Sequence, residues 1–197
     1  MSEQPHLFPA FLRLEGRVVV VIGGGPVAAS KVHALRECGA VITVVAPQVC
    51  PAIRNSGIVI VERAFEPADL EGAWLVVAAA TPAVKRRVAN LAARRRLFVN
   101  AVDDPQQATV YLGGTLRRGG VTIAVSTAGE APALAGLLRE GLETILPEDI
   151  GTWLAVARRA RRGWRARGVP IRDRRPMLLQ ALNRVYQRRR ATAGEAR

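Results

Sequence analysis

The chain has 197 residues, of which 49% are hydrophobic and 23% are charged. This length predicts one domain, or one domain with a smaller appendage, and the composition is that of a folded globular protein. Aromatic residues make up only 5%, which disfavours an extended stacking surface for single-stranded nucleic acid.

Basic residues are concentrated at the end of the chain. The net charge is +13, but residues 151–197 contain 14 Arg and only two acids, so the rest is close to neutral. Such a segment favours an anionic partner: phosphate, nucleic acid, a membrane surface or a polycarboxylate. The alternative is a solvated helix face that binds nothing.

The cysteines and histidines are few and scattered. Cys38 and Cys50 lack metal-site spacing, and His6 and His33 are far apart, so the usual zinc site and a disulfide framework are excluded. No apolar run reaches the roughly 20 residues of a membrane span, and the first ten residues lack the basic start of a signal peptide. We expect a cytoplasmic protein with free thiols and no membrane partner.

The first half of the chain alternates strand and helix patterns. Continuous β-branched runs, typical of strands buried on both faces of a parallel sheet, recur between helical patterns. The predicted strands are residues 17–22, 41–46, 58–61, 74–80 and 97–100. The predicted helices run from Pro26 to about Gly39 and from Thr81 to about Arg96. This order predicts a doubly wound α/β sheet, which we assign to residues 1–113.

The pattern changes after residue 113. Residues 115–117 and 121–126 flank a glycine turn and predict a hairpin, and Pro132 starts a helix with one apolar stripe. We assign residues 114–147 to a small α+β dimerisation region, because this hairpin and helix have few partners within one chain. Residues 148–197 are predicted to be helical and basic, with breaks at residues 168–170 and at Pro176.

The strongest motif is the run Gly23-Gly24-Gly25-Pro26-Val27-Ala28, which fits G-x-G-x-x-A between a strand and a helix. In a Rossmann-like fold the glycines permit a tight turn and let a pyrophosphate approach the main chain, while the alanine permits close helix packing. The run therefore predicts dinucleotide binding. The alternative is a glycine turn without a ligand.

The second strand ends without the acid that usually binds the ribose of NAD. Val45-Ala46-Pro47-Gln48 contains neither Asp nor Glu, and no Arg is present to bind a 2′-phosphate. The main chain of Pro47 and the side chain of Gln48 would then hold the adenosine ribose. The residues alone leave the choice between NAD and NADP open.

Two further segments carry candidate chemistry. Asn100 and Asp103 lie at the carboxyl end of the fifth predicted strand, where a carboxylate can act as a general base beside a nicotinamide. Ser126 and Thr127 end the hairpin, where hydroxyl and N–H groups can hold substrate carboxylates. The alternatives are an Asx turn before a proline and an ordinary helix start.

Four runs together resemble the precorrin-2 dehydrogenase/sirohydrochlorin ferrochelatase family, which is also the N-terminal module of sirohaem synthase. They are GGGPVAASK at residues 23–31, AAATP at 78–82, NAVDDP at 100–105 and VSTAGEAPALAGLLRE at 125–140. The resemblance extends from about residue 7 to residue 150. It implies NAD-dependent oxidation of precorrin-2 to sirohydrochlorin by a homodimer, followed in many members by Fe²⁺ insertion.

The resemblance also implies roles for individual residues. Asp103 becomes the catalytic residue and a transient Fe²⁺ ligand. The implied cofactor-binding residues are Gly23, Gly24, Gly25, Pro26, Val27, Pro47, Gln48 and Thr81. The implied substrate-binding residues are Asn100, Ser126, Thr127 and Gly129. This chain departs from the family at Pro26, often polar or acidic there, and at Lys85, a place that asparagine can take.

Two other functions are compatible with parts of the sequence. A non-catalytic dinucleotide-sensing module would need the glycine run, but it gives no reason for Asp103 or for the pair Ser126 and Thr127. A nucleic-acid-binding protein would use the arginine-rich end, but the chain has few aromatic residues and no known nucleic-acid motif. We therefore expect no nucleic-acid partner.

Overall fold

The computed structural model describes residues 6–194. The larger sheet and its helices comprise β1 (Val18–Ile22), α1 (Pro26–Glu37), β2 (Val41–Val45), α2 (Pro51–Arg54), β3 (Val59–Val61), β4 (Leu75–Ala78), α3 (Pro82–Arg94) and β5 (Phe98–Ala101). The later elements are β6 (Gly114–Arg118), β7 (Val121–Val125), α4 (Pro132–Ile145), α5 (Ile150–Ala166) and α6 (Ile171–Gly194). Short 3₁₀ turns occupy Pro67–Leu70 and Pro105–Gln107.

The five strands β1 to β5 form one parallel sheet in the order β3-β2-β1-β4-β5. The order reverses between β1 and β4, so the chain has a topological switch point there, where open α/β sheets bind their ligands. The register pairs Ile22 with Val45 on one side and with Ala78 on the other, which brings three strand ends together. The predicted Rossmann-like fold is confirmed.

Apolar side chains cover both faces of this sheet. On one face Val19, Val21 and Val44 pack against α1; on the other face Val20, Val76 and Val99 pack against α3. The helix α1 buries Ala28, Val32 and Leu35, which follow one another at helical spacing on its inner face. Because both faces of the sheet are buried, the sequences of these strands are continuous apolar runs and do not alternate with polar residues.

The structure differs from the predicted elements in two places. The short helix α2 was not predicted, because four residues carry too little periodicity to be recognised. The predicted break at Pro176 is wrong, since α6 continues through this residue. Proline keeps a helical φ and here removes one main-chain hydrogen bond, to the carbonyl of the exposed Arg172, which water can satisfy. The break at residues 168–170 is confirmed, between α5 and α6.

The chain divides into two compact units. The first extends to Gly113 and also includes Ser126–Pro132, and the second comprises Gly114–Val125 and the chain from Ala133 onward. The division into residues 1–113, 114–147 and 148–197 stays a prediction. Within residues 6–194, no helix combines the length and the apolar composition needed to cross a membrane.

The second unit contains the predicted hairpin. β6 and β7 pair antiparallel, with Gly114 opposite Val125 and Arg118 opposite Val121. The guanidinium of Arg118 donates to the carbonyl of Glu143 over 3.1 Å and also to the carbonyl of Leu146. This side chain therefore ties the hairpin to the end of α4.

Candidate cofactor cleft and the neighbouring carboxylate

A cleft of about 390 Å³ lies at the carboxyl ends of β1, β2 and β4. This is the topological switch point of the sheet, and the volume is in the range of small-molecule sites. Its walls are formed by Ile22, Gly23, Gly24, Val45, Ala46, Pro47, Gln48, Ala64, Phe65, Ala79, Ala80, Thr81 and Val84. Five of the residues implied to bind the cofactor are therefore brought together: Gly23, Gly24, Pro47, Gln48 and Thr81.

Gly23 and Gly24 are needed for packing within the protein itself. A Cβ on Gly23, whose φ is +130°, would lie 2.1 Å from the carbonyl oxygen of Ala79. A Cβ on Gly24 would lie 1.9 Å from the carbonyl oxygen of Gln48. Both distances are far inside van der Waals contact, so these glycines let the loop after β1 lie directly against its neighbours.

Main-chain hydrogen bonds also join the loop after β1 to the end of β2 and to the residues that follow it. The N–H of Gly23 donates to the carbonyl of Val45 over 3.0 Å, and the N–H of Cys50 donates to the carbonyl of Gly24 over 2.8 Å. The loop after β1 is therefore joined to the end of β2 and to the loop that follows it.

Gly25 has a different environment from the two glycines before it. Apart from its two neighbours in the chain, no residue has an atom within 4 Å of the place where its Cβ would be, so the main chain here faces open space. Gly25 is the N-cap of α1, which has no side-chain cap and no acid in its first turn. Unopposed N–H groups and the helix dipole make this end favourable for an anion.

Pro26 and Val27 form the first turn of α1 and are exposed. Neither belongs to the walls of the cleft. Pro26 has no N–H, so an anion at this helix end would receive donors from Gly25, Val27 and Ala28 and none from Pro26. The departure from the family pattern at Pro26 therefore affects the number of main-chain donors.

Thr81 lies at the opposite wall, where it is the N-cap of α3. A threonine at this place usually accepts a hydrogen bond from the first turn of its helix. Here its side chain makes no such cap bond, and the residue is exposed. Its hydroxyl is therefore available to a ligand in the cleft.

The cleft wall also contains Ala64 and Phe65, which the sequence did not indicate. They belong to the connection between β3 and β4, which carries no recognisable motif. The guanidinium of Arg63 donates to both carboxylate oxygens of Asp69, at 2.9 and 2.6 Å, and so links two residues within the connection between β3 and β4. The hydrogen bonds from Arg63 lower the pKa of the Asp69 carboxyl below its ordinary value, aided by the donated main-chain N–H of Glu66.

Asp103 is not part of the cleft wall; it follows β5, the strand that pairs with β4. β5 ends at Ala101, which pairs with Ala78, and the N–H of Val102 donates to the carbonyl of Ala78 over 3.0 Å. The cleft wall continues from Ala78 into Ala79. Asp103 is exposed and has a φ of +55°, a left-handed conformation that is uncommon for a residue other than glycine.

Two buried polar side chains hold the loop at residues 102–110. Lys85 is 8% exposed, and its Nζ donates to the carbonyl of Val102 over 2.8 Å. Asn100 is 7% exposed, and its Nδ2 donates to the carbonyl of Val110 over 2.9 Å. The Oδ1 of Asn100 is buried without a hydrogen-bond partner among the described residues. A buried acceptor left unpaired is a place where a ligand donor or a water is expected.

Ser126–Pro132 belongs to the same unit as the cleft. The Oγ of Ser126 accepts from the N–H of Ala128, and the Oγ1 of Thr127 accepts from the N–H of Ala131, both over 3.2 Å. A Cβ on Gly129 would lie 3.1 Å from the Cβ of Pro105, so this segment packs against the residues just after Asp103. The two hydroxyls therefore shape the turn before α4.

Two family models match the chain. A family described as NAD(P)-binding matches residues 10–114, and the central region of sirohaem biosynthesis proteins matches residues 118–144. The siroheme synthase of Photorhabdus laumondii is 36% identical over 180 residues, which cover 89% of this chain and 38% of that protein. Siroheme synthase 3 of Aeromonas hydrophila is 38% identical over 172 residues, which cover 85% of this chain and 37% of that protein.

The chain thus spans less than two fifths of the length of these relatives. A solved structure described as SirC, precorrin-2 dehydrogenase, has the same fold, with a TM-score of 0.70 at 23% identity, and covers 97% of this chain and 100% of that one. Because the first family model covers more than half of the residues, this chain belongs to that NAD(P)-binding family and carries beside it the region of sirohaem biosynthesis proteins.

Proposed function

We propose that the chain oxidises precorrin-2 to sirohydrochlorin with NAD⁺. The observation that carries this proposal is the position of Asp103, after the strand that pairs with β4, whose carboxyl end forms part of the cleft, in a chain that also contains the region of sirohaem biosynthesis proteins. The relatives named siroheme synthase and the fold shared with a precorrin-2 dehydrogenase support it.

The residues of the cleft fit a dinucleotide. The open main chain at Gly25 and the uncapped end of α1 suit the pyrophosphate, and Pro47 and Gln48 are exposed at the end of β2, where the adenosine ribose would lie. Thr81, whose hydroxyl caps no helix, would hold the part of the cofactor that crosses to β4. NAD, when bound there, accepts the hydride.

The oxidation removes one hydride and one proton from precorrin-2. In the proposed mechanism the exposed carboxylate of Asp103 takes the proton, since it follows the strand that pairs with β4, whose carboxyl end forms part of the cleft that holds the hydride acceptor. The products are then sirohydrochlorin, NADH and one proton, so atoms and electrons balance. The unpaired Oδ1 of Asn100 accepts a hydrogen bond from the bound ligand, and Ser126, Thr127 and Gly129 form the turn against which the substrate packs.

Fe²⁺ insertion is the second step that this site would support. Insertion replaces two pyrrole protons with Fe²⁺, and the carboxylate of Asp103 is an oxygen donor that would bind the substrate ion briefly and take the two protons in turn, passing each to solvent. We propose this activity as an addition to the oxidation, with Fe²⁺ as a substrate.

We further propose that the active form is a cytoplasmic homodimer. The helix α4 exposes apolar side chains, with Leu137 66% and Ile145 73% exposed, and a second copy of the chain would cover them. Sedimentation should give a dimer, and Leu137→Lys should give a monomer. A monomeric native chain at micromolar concentration would exclude this part of the proposal.

A two-stage optical assay tests the proposed reaction. Precorrin-2 and NAD⁺ are incubated with the chain under anaerobic conditions, NADH formation is followed, and Fe²⁺ is then added. We expect NADH and sirohydrochlorin first, and the spectrum of sirohaem afterwards. Binding of NAD⁺ without any turnover would contradict the proposal and would favour a dinucleotide-sensing module.

Asp103→Asn tests the catalytic carboxylate. Asparagine tolerates the left-handed backbone that Asp103 adopts, so the loop should keep its shape while the base is lost. We expect kcat to fall on the order of 10²-fold to 10⁴-fold with NAD⁺ binding retained. Asp104→Asn is the matched control, since it removes the neighbouring carboxylate, and its kcat should stay close to that of the native chain.

A further inference from the structure

Lys85 is a buried cation with an unusual environment. It lies on the inner face of α3 with Val88 and Ala92, which are fully buried. Within residues 6–194 no carboxylate lies at ion-pair distance from its ammonium group, although buried lysines ordinarily require a partner. Its hydrogen bond goes instead to the carbonyl of Val102.

This carbonyl belongs to the peptide group that leads directly into Asp103. The N–H of Val102 is held from the other side by the carbonyl of Ala78 over 3.0 Å. Both polar groups of Val102 are therefore fixed, one by the sheet and one by Lys85. The next residue has a left-handed φ of +55°, which costs energy in an aspartate and persists only where the surroundings impose it.

We propose that Lys85 is a positioning residue that holds Asp103 at the edge of the cofactor cleft. This rests on the proposed function, in which Asp103 is the catalytic carboxylate. Lys85 fixes the peptide between Val102 and Asp103 through one strong, charge-assisted hydrogen bond. Without this bond the peptide can rotate, and the carboxylate moves away from its place beside the nicotinamide. Catalytic geometry is sensitive to shifts of about 1 Å.

Lys85→Met tests this role, because methionine keeps the apolar stem and most of the length but has no donor. We expect kcat for NADH formation to fall on the order of 10-fold to 10²-fold. The KM for NAD⁺ should stay within about twofold, since Lys85 is not part of the cleft wall. Arg86→Met is the matched control: it removes the same charge from an exposed neighbour on α3 and should leave both constants unchanged.

A double-mutant cycle with Asp103→Asn separates positioning from a merely structural role. If Lys85 acts through Asp103, Lys85→Met should have no effect on the residual rate of Asp103→Asn. Equal fold-losses in both backgrounds would overturn the proposal. So would a native kcat in Lys85→Met while Asp103→Asn is inactive, a result that leaves the proposed function intact. A native kcat in Asp103→Asn would overturn both the positioning role of Lys85 and the catalytic role of Asp103, while turnover itself would still support the oxidation.

Lys85→Arg provides the rescue, since arginine keeps a cationic donor at this place. A positioning role predicts that Lys85→Arg retains more of kcat than Lys85→Met, whereas a packing role predicts the reverse, because methionine suits apolar surroundings better. Thermal melts verify folding of each variant. If Lys85→Met does not fold, Lys85→Leu, which also has no donor, replaces it in the cycle, and a native kcat in that variant would overturn the proposal.

Discussion

Two loops at the carboxyl edge of the sheet are held in place by different means. The loop at residues 23–27 is fixed by its own main chain, through the hydrogen bonds of Gly23 and Gly24 and their close contacts with neighbouring carbonyl groups. The loop at residues 102–110 also has main-chain hydrogen bonds to the sheet, at Val102, Thr109 and Val110, but it is held in addition by buried side chains, chiefly Lys85 from the adjacent helix.

The difference follows from what each loop presents to a ligand. The first loop presents main-chain groups, so side chains would obstruct it, and glycines let it lie flat against β2 and β4. The second loop presents one carboxylate, that of Asp103, in a left-handed backbone that needs support from outside the loop. Main-chain packing therefore shapes the loop that would bind the cofactor, whereas buried side chains stabilise the loop that carries the proposed catalytic carboxylate.

Gly24→Ala is expected to have the largest effect, because it breaks the main-chain packing of the first loop. The added Cβ would lie 1.9 Å from the carbonyl oxygen of Gln48, and that oxygen belongs to the main chain and cannot simply turn away. We expect a loss of about 3 kcal/mol in the free energy of unfolding, measured by urea denaturation. A loss under about 0.5 kcal/mol would show that the loop is not packed as described.

Gly25→Ala separates ligand contact from packing in the same loop. Its Cβ would meet no protein atom, so the free energy of unfolding should change by less than about 0.5 kcal/mol. The methyl group would occupy the space of the pyrophosphate, and we expect the Kd for NAD⁺ to rise about tenfold, or about 1.4 kcal/mol. Calorimetric titration measures this. Gly136→Ala, also in open space but on α4, is the control and should leave the Kd unchanged.

The first loop could be predicted from the sequence because its determinants are contiguous. The run from Gly23 to Ala28 lies between a strand and a helix, and the strand carries a continuous β-branched pattern, so fold, turn and ligand class follow from neighbouring residues. The need for Gly24 could not be predicted, since the carbonyl of Gln48 approaches it only when β1 and β2 are paired.

The anchors of the second loop are not visible in the sequence. Lys85 and Val102 are 17 residues apart and meet only after α3 packs on the sheet. Lys85 is a lysine followed by two arginines, a sequence typical of a solvent-exposed helix surface, and no neighbouring residue indicates that it is buried. Asp103 was recognised by its place after a strand, but its left-handed backbone depends on these long-range contacts.

Thr109→Val should weaken the second loop at one anchor. The Oγ1 of Thr109 accepts a hydrogen bond of 2.8 Å from the main-chain N–H of Val99, a buried residue on β5. Valine has the same shape without the acceptor, so that N–H loses its partner. We expect a loss of about 1 kcal/mol in the free energy of unfolding, measured in urea. Thr109→Ser keeps the hydroxyl and should recover most of it; equal losses in both variants would contradict this role.

The connection between β3 and β4, which supplies Phe65 to the cleft, tests whether side-chain anchoring extends to a third loop. Arg63 lowers the pKa of Asp69 from its ordinary value of 3.8 in the folded chain. A carboxyl with a lowered folded pKa stabilises the fold above its unfolded pKa and loses this contribution as pH falls through the folded value. Asp69→Asn should therefore lower Tm by about 2 °C near neutral pH.

The pH dependence of that difference distinguishes an ion-paired anchor from simple packing. The native chain and Asp69→Asn should differ in Tm by a constant amount down to about pH 4, and the difference should shrink below that as Asp69 takes up its proton in the native chain. Because Asp69 is 8% exposed and Arg63 only partly covered, salt should reduce the difference without removing it. If the difference in Tm persists unchanged into strong acid, then packing of the Asp69 side chain, and not its charge, stabilises the connection between β3 and β4.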